Sequence, residues 1–265
     1  MENRIFTFGC SFTHYEWPTW ADIILKGNNG YNLGVRGGGF DMILYRIIEA
    51  DRVFNFNNND TIIVMFTTPL RMDLIYSEDN PSWSQQGQVI TSYFVKHYNE
   101  LYSINGLLYK SFNDMHIIKN YLDNRNLKYY FSSINTLFEE YYNNEPYFRD
   151  EFISHEILDF INLTKKEIKL DFDDMMGFFY KNKIKYKIWK NSGLDYHPTP
   201  KYHYKWVTDV LLKKLDIKLN VSYDEIIEIE NELFKIKDSS DCVKILNEKF
   251  PYFYENKKNY TVYLK

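Results

Sequence analysis

Thr61-Ile62-Ile63-Val64-Met65-Phe66 is the stretch on which the reading of this chain turns. Four of the six residues are β-branched, and no charge interrupts them. A strand with one wet face alternates apolar and polar residues. A strand without alternation is covered on both faces, as in a parallel sheet. Outward from it, Ile5 to Phe8 reads as a first buried strand ending in Gly9, and Tyr31 to Val35 as a second. Thr19 to Leu25 has helical character. A second helix starts near Asp41, with Ile43, Ile47 and Ile48 at helical spacing and Asp41 as its cap. Strands alternating with helices over the first 133 residues predict a three-layer α/β/α fold with a mainly parallel sheet. In such a fold the site lies beyond the carboxyl ends of the strands.

Further along, Pro69 to Gln88 reads as irregular. A helical region follows over roughly 91–124, broken near Gly106, and then a strand over Leu127 to Ser133. Residues of about 143–191 are expected to be a helical insertion, with Asp171 to Asp174 a solvated helix start. Tyr202 to Leu215 forms a closing helix. The expected organisation is one α/β domain over 1–218 and a helical extension with a Tyr-rich tail over 219–265.

The 265 residues suffice for one sizeable core, and 45% of them are hydrophobic. The 24 Tyr and 20 Phe, with abundant Asn, Lys and Ile, fit a genome bias better than an aromatic ligand cage. A net charge of −4 and a pI near 5.9 argue against a chain built to hold nucleic acid. Two distant cysteines, Cys10 and Cys242, make no disulfide framework and suit a reducing compartment. No stretch approaches the ~20 apolar residues of a membrane span. Met1 to Ile5 lacks the apolar centre of a signal peptide, so the expected location is cytoplasmic.

Four blocks carry the chemistry. Gly9-Cys10-Ser11-Phe12-Thr13 follows the first strand. Gly9 permits a tight turn that presents the Ser11 hydroxyl above the sheet and its N–H to a developing oxyanion. A serine that merely caps the turn is the commoner alternative. Thr13 stands where a lipase elbow has glycine. In Asn32-Leu33-Gly34-Val35-Arg36-Gly37-Gly38-Gly39, the glycines let backbone amides approach a ligand, or make a flexible turn; the spacing fits neither a Rossmann nor a phosphate-loop pattern. Thr67-Thr68-Pro69-Leu70-Arg71 offers hydroxyls and a guanidinium for substrate contact, or turn residues with a solvated arginine. In Asp195-Tyr196-His197-Pro198-Thr199-Pro200, the carboxylate can fix the imidazole's tautomer, and the imidazole can take a proton from a serine. Thr199 and Pro200 also suit a helix entry, as cap and first helical residue.

In this order and at this wide spacing the four blocks resemble the SGNH/GDSL hydrolase family, over roughly residues 4–215 with the middle insertion unmatched. Cys before the serine and Thr-Thr-Pro-x-Arg in the third block are similar to SGNH-like proteins of phage genomes. The resemblance implies Ser11 as nucleophile and first oxyanion donor, Gly37 as second donor with Gly38 the alternative register, and His197 and Asp195 as base and acid. The family's third block usually supplies an asparagine donor. Its place here falls near Pro69, which has no N–H, so Thr67, Thr68 or Arg71 stands in, or the hole has two donors. The family's Asp-x-x-His is here Asp-x-His. The implied activity is that of an esterase or acyl hydrolase, with an O-acetyl group on a carbohydrate as substrate. An O-acetyltransferase using the same triad and a catalytically degenerate binding protein are the alternatives. No cofactor and no metal are implied, and the partner is a small-molecule or carbohydrate ester rather than nucleic acid or membrane.

His14 is close enough to Ser11 to line the site, and Thr67 and Arg71 are candidate substrate contacts. Trp83, Tyr93 and the insertion are candidate substrate walls. Cys10, beside the nucleophile, should point into the core. His203 reads as a packing residue, and no histidine, including His97, His116 and His155, shows zinc-ligand spacing.

Overall fold

The computed structural model describes residues 3–69, 71–76, 82–88, 104–135, 137 and 154–255. In chain order the strands are β1 (Ile5–Phe8), β2 (Gly30–Asn32), β3 (Thr61–Phe66), β4 (Arg71–Tyr76), β5 (Ser82–Gln88), β6 (Lys128–Ser133), β7 (Lys187–Trp189) and β8 (Gly193–Asp195). The α-helices are α1 (Trp20–Leu25), α2 (Phe40–Phe54), α3 (Ile104–Asn124), α4 (His155–Glu167), α5 (Met175–Lys181), α6 (Pro200–Asp209), α7 (Tyr223–Lys235) and α8 (Cys242–Lys249).

Four strands form a parallel sheet in the order β2-β1-β3-β6. The unbroken apolar run of β3 is explained by its two covered faces. Ile62, Val64 and Phe66 join a cluster with Phe40, Ile43 and Ile47 of α2, Leu108 and Phe112 of α3 and Ile161 of α4. Ile63 and Met65 join another with Trp20 and Ile23 of α1, Trp206 and Val207 of α6 and Ile226 and Ile229 of α7. The result is a three-layer α/β/α fold. The chain passes from β1 out to β2 and returns by α2 to β3 on the other side of β1. The carboxyl end of β1 therefore lies at the switch point, where a crevice opens.

The structure differs from the sequence reading in several elements. The stretch read as irregular carries an antiparallel ribbon of β4 and β5. Ser82-Trp83-Ser84-Gln85-Gln86-Gly87-Gln88 has no apolar face to mark it as a strand. Helix α3 is described from Ile104 and runs through Gly106 without a break; 89–103, with Tyr93 and His97, lie outside the described residues. Within 154–191 the chain is helical in α4 and α5 but ends in β7, which pairs with β8 around the Lys190-Asn191-Ser192 turn. Asp171 is not solvated: its N–H donates to Phe131 O at 2.7 Å and its carboxylate accepts from Phe131 N–H at 2.8 Å, extending the edge of β6. Asp174 caps α5 by accepting from Gly177 N–H. The closing helix stops at Asp209 and passes into a 3₁₀ turn, Leu211–Lys213. Gly39, not Asp41, is the N-cap of α2. No described helix is long and apolar enough to cross a membrane.

Candidate active site

Residues 9–14 form a tight turn directly after β1, closed by Thr13 N–H and His14 N–H donating to Cys10 O at 2.9 and 3.1 Å. Gly9 is required there. A Cβ on it would sit 2.2 Å from Thr13 Oγ1 and 2.9 Å from Met65 O, on the neighbouring strand. Cys10 points into the cluster of α1 and α6 and is fully buried, which leaves Ser11 to face the other way.

A buried polar network fixes this turn against β2. Asn32 Nδ2 donates to Thr13 O and to Asp22 Oδ1, each at 2.8 Å. Asp22 Oδ2 accepts from Thr19 N–H at 2.8 Å, and Thr19 Oγ1 donates back to Thr13 O at 2.5 Å. Asn32 Oδ1 takes the Gly34 N–H at 3.1 Å, and Gly9 O takes the Val35 N–H at 2.8 Å. The second block is thereby tied along the first. Satisfied buried networks of this kind rigidify the groups they join.

Opposite this turn, the β7–β8 hairpin delivers Asp195 at the end of its second strand, and the chain turns at once into His197. Asp195 Oδ1 accepts two bonds from His197, from the backbone N–H at 3.0 Å and from ring Nδ1 at 2.7 Å. The two-residue spacing is what allows one oxygen to hold both. Ring Nε2 then lies 2.8 Å from Ser11 Oγ. The result is a hydrogen-bonded chain of serine, histidine and aspartate joining residues 186 apart.

Two residues that sequence reading missed complete the arrangement. Tyr15 Oη and Trp189 Nε1 both donate to Asp195 Oδ2, at 2.8 and 2.9 Å. The Tyr15 ring also stacks on His197, with centroids 3.8 Å apart and planes at 22°. Only the nearness of Tyr15 to Ser11 in sequence could have flagged it. Trp17 Nε1 donates to Pro198 O at 2.7 Å, which fixes the backbone just beyond the histidine. Thr199, at the N-cap of α6, sends its hydroxyl to Glu230 Oε1 of α7 rather than to the helix.

Burial alone would raise the Asp195 carboxyl. The hydrogen bonds from His197 and Trp189 outweigh it and hold the group down at about 2. Asp195 is thus an anion at any pH near neutrality. Tyr15 is pushed strongly upward, first by burial and then by the charge of Asp195, so it stays a phenol and a donor.

The remaining sequence candidates fall around this chain. Gly37 has φ 71°, a left-handed backbone that favours glycine, and its N–H makes no hydrogen bond among the described residues; the same holds for the Ser11 N–H. The Gly38 N–H is taken up by Val35 O at 3.1 Å. Thr67 and Thr68 are buried beyond β3, and Thr67 Oγ1 has no partner among the described residues. Arg71 Nη1 donates to Gly38 O at 3.2 Å, so this arginine faces the second block. His14 packs beside Gly34. His203 is buried edge-on to Phe179, and His116 bonds Thr164 Oγ1 at 3.0 Å. Among the described residues no group of three His, Cys, Asp or Glu could hold a metal ion.

The fold and site together define an α/β protein with a Ser–His–Asp chain at the switch point of a parallel sheet. In chain path it is similar to solved structures of the GDSL family. A member of the lipolytic protein G-D-S-L family from Veillonella parvula aligns at 14% identity over 80% of this chain and 100% of that one, with a TM-score of 0.43. A GDSL-like lipase from Bacteroides thetaiotaomicron aligns at 13% identity over 79% and 86%, with a TM-score of 0.39. No protein-family model and no curated protein matches the chain.

Proposed function

We propose that this protein is a serine ester hydrolase of the SGNH/GDSL type, and that its substrate is an acyl ester, an O-acetyl group on a carbohydrate. The observation that carries the reading is the continuous chain Ser11 Oγ–His197 Nε2 and His197 Nδ1–Asp195 Oδ1, at 2.8 and 2.7 Å. With Nδ1–H held by an ionised Asp195, the free lone pair of Nε2 faces the serine hydroxyl. That is the tautomer a general base needs.

Ser11 Oγ attacks the ester carbonyl as His197 takes its proton. The carbonyl oxygen becomes an oxyanion, which the N–H groups of Ser11 and Gly37 are free to bind. His197 returns the proton to the leaving alcohol, and Asp195 stabilises the imidazolium meanwhile. Water then repeats the sequence and releases the acid. Thr67 Oγ1, buried with no partner among the described residues, is a candidate third donor where the family has an asparagine.

The test is intact mass after exposure to a fluorophosphonate, together with turnover of p-nitrophenyl acetate and an acetylated sugar. The expected result is one adduct, absent in Ser11→Ala, and turnover that Ser11→Ala abolishes. Wild-type turnover no greater than that of Ser11→Ala would overturn the reading.

A further inference from the structure

We propose that β4 is a clamp for the glycine loop. Asp73 and Arg71 hold the peptide between Gly38 and Gly39 so that the Gly37 amide joins the Ser11 amide in facing the oxyanion. This rests on the serine-hydrolase reading and assigns two further positioning residues to it.

The N–H groups of Gly38, Gly39 and Met42 each have an acceptor. Asp73, buried, takes the Gly39 N–H on both oxygens, at 2.8 and 3.0 Å, and the Met42 N–H on Oδ2 at 2.8 Å. These belong to the entry of α2, whose first N–H groups have no partner within the helix. A carboxylate there is favoured by the helix dipole as well. Because Asp73 lies in β4 and not in α2, the cap joins two elements that are 34 residues apart. From the same strand, Arg71 Nη1 holds Gly38 O at 3.2 Å, and the Gly38 N–H is closed onto Val35 O. The fit is tight: a Cβ on Gly39 would lie 2.8 Å from Asp73 Oδ2 and 3.2 Å from Arg71 O. Both sides of the 38–39 peptide are therefore fixed by β4, the 37–38 peptide is fixed by its N–H on Val35 O, and the Gly37 N–H, on the peptide before these, takes its direction from them.

Strand β4 thus acts on the oxyanion site through the second block. An amide preorganised by neighbours costs nothing to reorient when charge develops. Asp73 also brings a proton-dependent element. Burial pushes its carboxyl up to about 6, and Asp41 on α2 adds to this, against the pull of the Met42 and Gly39 amides and of Lys110 on α3. Lys110 itself is shared with Asp41 and with Asp114 of α3, and Arg71 is the remaining charge on the strand. Protonation of Asp73 weakens the acceptor that holds the loop.

The experiment is steady-state turnover of p-nitrophenyl acetate across pH by wild type, Asp73→Asn and Arg71→Gln, with a thermal melt for each. A loosened oxyanion donor lowers kcat and leaves KM nearly alone. Asp73→Asn is expected to lower kcat by about 10–100-fold, and Arg71→Gln by about 3–10-fold. The acid limb of kcat/KM should be less steep in Asp73→Asn than in wild type, because asparagine takes up no proton. A merely structural residue would lower the melting temperature without changing that slope. Folded variants with wild-type kcat and an unchanged acid limb overturn the clamp while leaving the hydrolase reading intact. Wild-type protein without Ser11-dependent turnover overturns both. If Asp73→Asn does not fold, Arg71→Gln, at a partly exposed position, decides alone.

Discussion

Replacing Asp195 by asparagine puts the most weight on the geometry. The carboxylate carries four donors: two from His197 on Oδ1, at 2.7 and 3.0 Å, and one each from Tyr15 and Trp189 on Oδ2, at 2.8 and 2.9 Å. Asparagine has one acceptor oxygen. If that oxygen faces His197, its NH₂ meets the indole N–H of Trp189, which can only donate; the Tyr15 hydroxyl can turn and accept. If the oxygen faces Trp189 and Tyr15, the NH₂ meets the His197 backbone N–H, again a donor. Nδ1 must then accept, and the proton moves to Nε2, where it blocks abstraction from Ser11. Either orientation sets one buried donor against another, at a cost of about 1–3 kcal/mol in stability. Both remove the charge that balances the imidazolium, and in a serine triad this exchange lowers kcat by about 10⁴. For Asp195→Asn we expect kcat on p-nitrophenyl acetate to fall by about 10³–10⁴, with KM little changed. A variant within about tenfold of wild type would refute the argument that Asp195 sets the tautomer.

Three further outcomes follow from the same geometry. Tyr15→Phe keeps the ring stacked on His197 but removes one donor to the carboxylate; one charge-assisted hydrogen bond, about 1.5 kcal/mol, corresponds to a roughly tenfold loss in kcat, and an unchanged kcat would show that Trp189 suffices. Gly9→Ala places a methyl 2.9 Å from the backbone oxygen of Met65, so the turn must shift; activity should fall by more than about tenfold with a lower melting temperature, and a wild-type profile would contradict the stated fit. Asp195 is held at about 2, below the ordinary value near 3.9, so its contribution to stability is fully present above about pH 4 and is lost as pH falls through about 2. In urea melts, the gap between wild type and Asp195→Asn should narrow across that window, and a constant gap would count against the assignment.

The sequence by itself determined the layers and marked out the residues that the fold brings together as the candidate site. The unbroken β3 and the glycine after β1 are local patterns, readable because burial on two faces removes all alternation and a turn needs a residue without Cβ. Ser11, His197 and Asp195 were legible because each stands in a short block at the end of a predicted element. The ribbon of β4 and β5 was not legible, since the partner strand β5, Ser82–Gln88, is polar and leaves no apolar period to mark it. Nor was the β7–β8 hairpin, whose strands are three residues each and lie in a run that reads as part of a helical insertion. Only the tertiary structure decided that Tyr15 and Trp189 share one oxygen of Asp195 with no histidine between them, and that Asp73 rather than Asp41 caps α2. Those partners are 180, 6 and 31 residues apart, and the physical reason is common to them. A hydrogen bond is set by where the packed elements bring its two ends, and hydrophobic periodicity records which face of an element is buried, not which polar group waits on the other side.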